Sequence, residues 1–270
     1  MSEMPKISPI GIFDSGIGGL TVLKEISTIM PNEDIVYFGD TARLPYGSKS
    51  EKTIIKFSVE NTIFLNSKNV KLIVIACNTS SAVSLDYLRN FIKLPVIGVV
   101  ECGALAAVQK TRKKRVGVIG TKATIKSCAY SKAIKRLNSE IEVYEVSTPL
   151  LVHLVEENWI ERDITKAILM EYLSSLIDLD IDTLVLGCTH YPLLAKQIKE
   201  IVKDILLVDS AVETALLVLN TLKSQDMLTS KTSPATIDVY LSDMHPDFDR
   251  WAHDLIEKEV SPKIVNTIQF

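Results

Sequence analysis

The chain has 270 residues, of which 47% are apolar and 23% charged, and its formal net charge is −3. These values are typical of globular proteins and exclude disordered, collagen-like and coiled-coil classes. The length corresponds to roughly two domains. No strong basic charge is present, so nucleic acid is not expected as a partner. Four cysteines are too few for a disulfide scaffold, which leaves their role open.

The N-terminal region does not predict a signal peptide, because Glu3, Pro5, Pro9 and Asp14 interrupt any apolar stretch. A membrane-spanning helix needs about 18 or more apolar residues with few charges, and the sequence contains no such run. We therefore expect a soluble protein of the cytoplasm with no membrane partner. Thiols stay mostly reduced in that compartment, so a cysteine can act there as a working thiol.

Short apolar runs rich in valine and isoleucine alternate along the chain with amphipathic stretches of helical length. The runs predict strands at Ile10–Phe13, Asp34–Phe38, Leu72–Ala76, Val96–Val99, Val116–Ile119, Glu142–Val146, Thr183–Leu186, Ile205–Val208 and Ile237–Leu241. The stretches predict helices at Leu20–Ile29, Glu51–Ser67, Ser81–Phe91, Gly103–Lys110, Thr124–Leu137, Leu150–Glu157, Thr165–Ile177, Pro192–Val202 and Ala211–Leu222. A polar loop, Lys223–Thr236, precedes the ninth strand, and a last helix is expected around Phe248–Glu257. Continuous apolar strands that alternate with helices indicate an α/β fold with mostly parallel sheets.

The two halves of the chain resemble each other in sequence. IGIFDSGIGG near residue 10 aligns with VGVIGTKATI near 116, VIACNTSSA near 74 with VLGCTHYPL near 185, and PVIGVVE near 95 with ILLVDSA near 205. The order of the segments is the same in both halves. This predicts a duplicated α/β unit, with two pseudo-symmetric domains and a site in the cleft between them.

Cys77 and Cys188 lie at the ends of equivalent predicted strands, in ACNTSSA and GCTHYPL. Ligands of open α/β sheets bind outside the carboxyl ends of strands, so both thiols fall where a site is expected. An isolated cysteine at a strand end is more often a small buried apolar residue, but two in equivalent turns favour a function. A disulfide is opposed by the compartment. A metal site is not expected either, because the nearby ligands are only Cys188 and His190, with no CxxC and no histidine pair at helical spacing. Packing or an incidental surface thiol is the better interpretation of Cys102 and Cys128.

Two glycine-containing turns and one histidine are further candidates. DSGIGG, from Asp14 to Gly19, follows the first strand and fits either a bound anion with a catalytic aspartate or a tight turn without a ligand. GDTARLPYG follows the second strand, and its Tyr46 is placed to cover a pocket. His190 is close enough to Cys188 in the chain to tune that thiol. Glu156 and Glu157 fit a solvated helix face.

Four segments together resemble the motifs of the glutamate racemases: DSGIGGLTVL, GDTARLPYG, ACNTSSA and LGCTHYPLL. They occur in that family's order across roughly residues 10 to 215. The resemblance implies cofactor-independent interconversion of L- and D-glutamate, which supplies D-glutamate for peptidoglycan. It implies two α/β domains, one of residues 1–98 plus 210–270 and the other of residues 99–209. It also implies a homodimer, with glutamate as the small-molecule partner.

The resemblance also implies a role for each matching residue. Cys188 would take the proton from L-glutamate and Cys77 would deliver one to the opposite face. Asp14 would assist Cys77, while His190 and Glu156 would assist Cys188, with Glu157 as the alternative to Glu156. Asp40 would contact the substrate or support a residue that does. The substrate would be held by Ser15, Tyr46, Gly47, Asn78, Thr79, Thr121 and Thr189, together with Asp14 and His190.

Four other functions compete with this interpretation. One is a racemase for another acidic amino acid, and a second is a decarboxylase of the same superfamily, which needs only one protonating thiol. A third is a periplasmic-type binding module, which needs no paired thiols and would carry a signal peptide. A fourth is a dithiol redox protein, whose cysteines usually lie in a CxxC.

Overall fold

The computed structural model describes residues 6–256 and 260–265. In these ranges ten strands form two sheets, and every pair of neighbouring strands is parallel. The strands are β1 (Ile10–Asp14), β2 (Ile35–Gly39), β3 (Leu72–Ile75), β4 (Val96–Gly98), β5 (Arg115–Gly120), β6 (Glu142–Ser147), β7 (Thr183–Gly187), β8 (Leu206–Val208), β9 (Ile237–Leu241) and β10 (Lys263–Ile264). The predicted α/β class with parallel sheets is confirmed.

The two sheets repeat one strand order. The larger sheet has the order β10-β9-β2-β1-β3-β4, and the smaller has the order β6-β5-β7-β8. Superimposing β1 on β5 matches β2, β3 and β4 with β6, β7 and β8, so the internal sequence resemblance corresponds to a structural repeat. β9 and β10 extend the first sheet beyond β2, and Ile237 pairs with Ile35.

Eleven α-helices connect the strands of the described chain. They are α1 (Leu20–Ile29), α2 (Glu51–Ser67), α3 (Asn78–Phe91), α4 (Val99–Lys110), α5 (Lys122–Ser127), α6 (Ala129–Leu137), α7 (Leu150–Glu156), α8 (Asp163–Asp178), α9 (Ala195–Val202), α10 (Ser210–Ser224) and α11 (Phe248–Ile256). Short 3₁₀ turns occur at Thr41–Arg43, Tyr46–Ser48 and Tyr191–Leu194. Several helices begin at polar caps: Ser50, Thr121 and Asp209 each accept a hydrogen bond from a backbone N–H of the first turn.

The single helix predicted over Thr124–Leu137 is wrong, because the chain forms α5 and α6 with a break at Cys128. Cys128 has a φ of 54°, in the left-handed region, which ends one helix and redirects the next. The predicted Pro192–Val202 helix begins instead as the 3₁₀ turn Tyr191–Leu194. The end predicted for the last helix, Glu257, lies outside the described residues.

Two helices begin three or four residues earlier than the sequence pattern predicts. Helix α3 starts at Asn78 and not at Ser81, because Cys77 acts as its cap, with Sγ accepting the Ser80 N–H at 3.5 Å. Helix α4 starts at Val99 directly after β4 and not at Gly103. In both cases the first turn follows the strand with almost no loop, so the end of the strand fixes the position of the helix.

The parallel register brings the functional turns to one edge of each sheet. Asp14 is the last residue of β1, and Cys77 follows the adjacent strand β3 by two residues. In the second sheet Thr121 follows β5, and Cys188 follows β7 directly. Because β1 and β3 correspond to β5 and β7, both thiols stand at the same point of the repeat.

Candidate active site

A cavity with about 290 Å³ of empty space lies between the carboxyl edges of the two sheets. Ten of the predicted site residues line it: Ser15, Tyr46, Gly47, Cys77, Asn78, Thr79, Thr121, Cys188, Thr189 and His190. Leu44, Pro45 and Val152 complete the lining with apolar surface. A small enclosure with convergent polar groups is the usual form of a small-molecule site.

Cys77 enters this cavity at the N-terminus of α3. Its side chain is buried, and the thiol donates a hydrogen bond to Ser15 Oγ at 3.5 Å. Burial and the nearby Asp14 carboxylate raise the pKa of Cys77 to about 12, although the Ser80 N–H opposes that shift. The Cys77 sulfur is therefore protonated near neutral pH and is suited to donate a proton.

Cys188 enters from the second sheet and has a basic partner. Its Sγ lies 3.7 Å from Nδ1 of His190, and both side chains are buried. The other ring nitrogen of His190, Nε2, is hydrogen-bonded to Oε1 of Glu156. Thiol, imidazole and carboxylate thus form a line that runs from the cavity into the protein.

The protonation of this line follows from its contacts. Burial alone would lower the pKa of His190, but the Cys188 sulfur and the Glu156 carboxylate raise it to about 10. Burial would raise the pKa of Glu156, but hydrogen bonds from His190 and His245 lower it to about 2. At neutral pH the line therefore contains a carboxylate and an imidazolium, with the imidazolium next to the Cys188 sulfur.

Asp14 lies behind the cavity wall and is fully buried. Its Oδ2 accepts hydrogen bonds from the backbone N–H groups of Gly16 and Gly19, both at 3.1 Å. Burial raises the pKa of Asp14, while the charge of His190 and these backbone donors lower it. Its Oδ1 is buried with no hydrogen-bond partner among the described residues, which leaves one acceptor available for a ligand or a proton.

Asp40 also lies behind the lining, where it supports Tyr46. Asp40 Oδ2 accepts hydrogen bonds from the Tyr46 hydroxyl and from Nε of Arg43, the latter at 2.7 Å. Asn61 donates to the same Tyr46 hydroxyl at 3.1 Å. Of the two positions expected for Asp40, the structure therefore places it behind a residue that lines the cavity.

Hydroxyl and amide groups cross the cleft between the two sheets. Thr79 Oγ1, at the start of α3, lies 2.9 Å from Thr121 Oγ1 and 3.3 Å from Thr124 Oγ1. The Tyr130 hydroxyl donates to Asn78 Oδ1 at 2.6 Å. These neutral contacts tie the first turn of α3 to α5 and α6 directly beside Cys77.

Two glycines permit the close approach of facing loops. A Cβ at Gly18 would lie 2.6 Å from Thr189 Oγ1 and 3.0 Å from the ring of His190. A Cβ at Gly47 would lie 2.5 Å from Cβ of Thr121. The loops that carry DSGIGG and LPYG can therefore reach the second sheet only because they lack side chains at these points.

His245 is one of the polar residues of this region that the sequence interpretation missed, together with Arg43, Asn61, Thr124 and Tyr130. His245 lies between β9 and α11, and its Nε2 is 2.7 Å from Oε2 of Glu156. No pattern around LSDMHPDF signals this contact, because its partner is distant in sequence and lies on α7. Leu44, Pro45 and Val152 were also missed, although the first two lie within the GDTARLPYG motif.

The remaining cysteines lie away from the cavity lining: Cys102 is buried in α4 and Cys128 is exposed between α5 and α6. Across residues 6–256 and 260–265, no group of three His, Cys, Asp or Glu side chains is placed to hold a metal ion. Within the same part of the chain, no helix combines the length and apolar character needed to cross a bilayer.

The fold has two parallel sheets connected by helices, and a buried thiol follows the corresponding strand of each sheet. These features define a class of α/β proteins with two equivalent thiols at one site. The chain belongs to the Asp/Glu/hydantoin racemase family, whose family model matches residues 18–218. Among its relatives of high sequence identity are several glutamate racemases. The glutamate racemase of Geobacter metallireducens is 49% identical over 242 residues, which cover 89% of this chain and 90% of that protein. That of Aquifex aeolicus is 44% identical over 259 residues, covering 96% of this chain and 98% of its own.

A solved structure gives the same result in three dimensions. The glutamate racemase of Francisella tularensis, crystallised in complex with D-glutamate, superimposes with a TM-score of 0.92 at 38% identity. The match covers 98% of this chain and 100% of that one. The predicted resemblance to glutamate racemases and the predicted fold class are confirmed.

Proposed function

We propose that this protein interconverts L- and D-glutamate without a cofactor and supplies D-glutamate for peptidoglycan synthesis. The observation that carries the proposal is the pair of buried thiols that enter one small cavity from equivalent strand ends of two sheets. Glutamate racemases of high identity, one of them solved with D-glutamate, support the choice of substrate.

Inversion at Cα requires an acid and a base on opposite faces of the amino acid. In the direction from L- to D-glutamate, the Cys188 thiolate takes the Cα proton and becomes a thiol. The Cys77 thiol then gives its proton to the other face of the carbanion and becomes a thiolate. One proton is removed and one is added, so the product is the enantiomer, and the reverse reaction exchanges the two roles.

The contacts of the two sulfurs favour this starting state. The raised pKa of Cys77 keeps its proton available for delivery. The imidazolium of His190, whose pKa is about 10, stabilises negative charge on Cys188. Asp14, buried beside Cys77, is the group that assists removal of the Cys77 proton when D-glutamate is the substrate.

Neutral groups are suited to hold the substrate carboxylates and ammonium in this cavity. Ser15, Asn78, Thr79, Thr121 and Thr189 present hydroxyls and an amide, while Tyr46 and Gly47 shape the wall. Such donors bind an anion without placing a permanent cation beside the thiols.

The proposal also includes the compartment, the oligomeric state and the domain boundaries of the enzyme. A mechanism of two reduced thiols is suited to the cytoplasm. We expect a homodimer, to be tested by sedimentation of the purified protein. We also propose domains of residues 1–98 plus 210–270 and of residues 99–209, supported by the position of β9 and β10 in the sheet of β1.

The test is a racemisation assay on purified protein in the absence of pyridoxal phosphate. L-glutamate should be converted to the racemate, as followed by the loss of circular dichroism, and L-aspartate should react far more slowly. Cys77→Ser and Cys188→Ser should each lower kcat/KM by at least about 10²-fold, since each removes one of the two proton carriers.

Cys128→Ser, which changes the exposed cysteine in the same way, is the matched control and should keep the wild-type rate. Full activity of either active-site variant would overturn the two-thiol mechanism. A faster reaction with aspartate than with glutamate would instead favour the alternative of another acidic substrate.

A further inference from the structure

The segment between β9 and α11 reaches the line of groups behind Cys188. Thr41 Oγ1 donates to the carbonyl oxygen of Asp243 at 2.5 Å, and the Ala42 N–H donates to Ser242 Oγ at 2.9 Å. These contacts hold the segment against the GDTAR turn of the first sheet. They place His245 next to Glu156, at the end of α7 in the second half of the chain.

The tautomer of His245 follows from its two contacts. The backbone N–H of Asp247 donates to Nδ1 at 3.2 Å, so Nδ1 carries the lone pair of the neutral ring. The proton then lies on Nε2, which donates to Oε2 of Glu156 at 2.7 Å. His245 therefore presents a fixed N–H donor to Glu156.

Glu156 thus accepts one histidine on each oxygen, His190 on Oε1 and His245 on Oε2. A carboxylate held at a single oxygen can rotate about its last bond, whereas one held at both oxygens has a fixed plane. The side chain of Glu156 is only 14% exposed, so little water is available to replace a lost hydrogen-bond donor.

We infer that His245 is a positioning residue for the half-reaction of Cys188: it fixes the carboxylate of Glu156, which in turn orients His190 toward the sulfur. This inference rests on the proposed racemase function. His245 contacts Glu156 and is not one of the residues that line the cavity in the described structure. At metal sites, loss of a partner that orients a functional side chain in this way commonly lowers activity by about 10- to 100-fold.

The test compares His245→Ala with His245→Gln in the racemisation assay. The alanine variant should lose about ten- to hundredfold in kcat/KM, mainly in kcat, the range expected for a hydrogen bond to a charged group. Glutamine presents a neutral N–H donor near the position of Nε2 and should recover most of that loss. His153→Gln, on the exposed face of the same helix α7 as Glu156, is the matched control and should keep the wild-type rate.

A double variant separates positioning from a general loss of structure. If His245 acts through Glu156, adding His245→Ala to Glu156→Gln should cost little further activity. Three results would each overturn the inference. The losses in kcat/KM of the two single variants could multiply in the double variant, His245→Gln could be no more active than His245→Ala, or His245→Ala could be as active as the wild type. A wild-type protein that racemises no glutamate would instead contradict the proposed function.

Discussion

Replacing Glu156 by glutamine tests the electrostatic link to Cys188. The carboxylate is the acceptor for both His190 and His245, and glutamine keeps its size while removing its charge. The amide oxygen of glutamine can accept a hydrogen bond from one histidine but not from both, and neither hydrogen bond would then involve a charged acceptor. His190 would keep Cys188 as a partner and lose the counter-charge behind it.

The size of the effect follows from the pKa of Glu156. Burial opposes ionisation, yet the contacts with two histidines bring that pKa from 4.5 to about 2. At about 1.4 kcal/mol for each tenfold change in the ionisation equilibrium, the net shift corresponds to about 3 kcal/mol, so the two histidines together contribute at least that much. Loss of the His190 share should lower kcat/KM about ten- to hundredfold, in line with other hydrogen bonds to charged groups.

Glu156→Gln should also shift the pH dependence of kcat, and the direction of that shift follows from the pKa of His190. His190 has a pKa of about 10 in the wild type, so the imidazolium persists to alkaline pH and is lost as the pH rises through that value. Without Glu156 its pKa falls toward 6.5. Cys188 and the more distant Asp14 remain as the charged groups that face it. The alkaline decline of kcat from L-glutamate should therefore move to lower pH, measured between about pH 6 and about pH 11.

Glu157→Gln is the matched control for this experiment. Glu157 is the adjacent residue with the same side chain, but it is exposed beyond the end of α7. Its variant should keep both the rate and the pH profile of the wild type. A Glu156→Gln protein that folds and keeps the wild-type rate and alkaline limb would refute the proposed line from Glu156 to Cys188.

Two further predictions concern close packing at the site and a buried ion pair at the amino-terminal ends of β2 and β3. Gly18→Ala should lower kcat/KM by about tenfold or more and cost about 1–3 kcal/mol of stability, because its Cβ would lie 2.6 Å from Thr189 Oγ1; unchanged kinetics would contradict this close contact. Lys71→Ala should lower the free energy of unfolding in urea by about 3–5 kcal/mol, because it leaves the buried Glu33 without its cation. Lys263→Ala, in an exposed pair with Asp238, should cost less than about 1 kcal/mol, and equal losses would refute the distinction.

The central strands were predictable from sequence because they are buried on both faces. β1, β3 and β7 are continuous apolar runs, and their predicted bounds lie within one residue of the observed ones. β10 was missed because two exposed residues carry no periodic signal. The break between α5 and α6 was missed because Cys128, unlike glycine or asparagine, gives no warning of a left-handed backbone.

The site was predictable where its residues lie in turns that follow strands. Cys77 and Cys188 stand at repeated positions, and the parallel register brings such positions to one edge of a sheet. Glu156 and Glu157 were indistinguishable by sequence, since only the direction of the last turn of α7 decides which carboxylate meets His190. The contact of His245 with that carboxylate depends on how the last part of the chain returns to the first sheet, which local sequence does not encode.

The central claim is that two thiols act on opposite faces of Cα, and hydrogen isotopes test it most directly. L-glutamate is incubated with the enzyme in deuterated water. Early in the reaction the two enantiomers are separated, and the deuterium content of each is measured by mass spectrometry. Newly formed D-glutamate should carry deuterium at Cα, delivered by the exchanged Cys77 thiol, while the remaining L-glutamate still carries protium. D-glutamate that retained the original proton would mean that one group serves both faces, and would contradict the account.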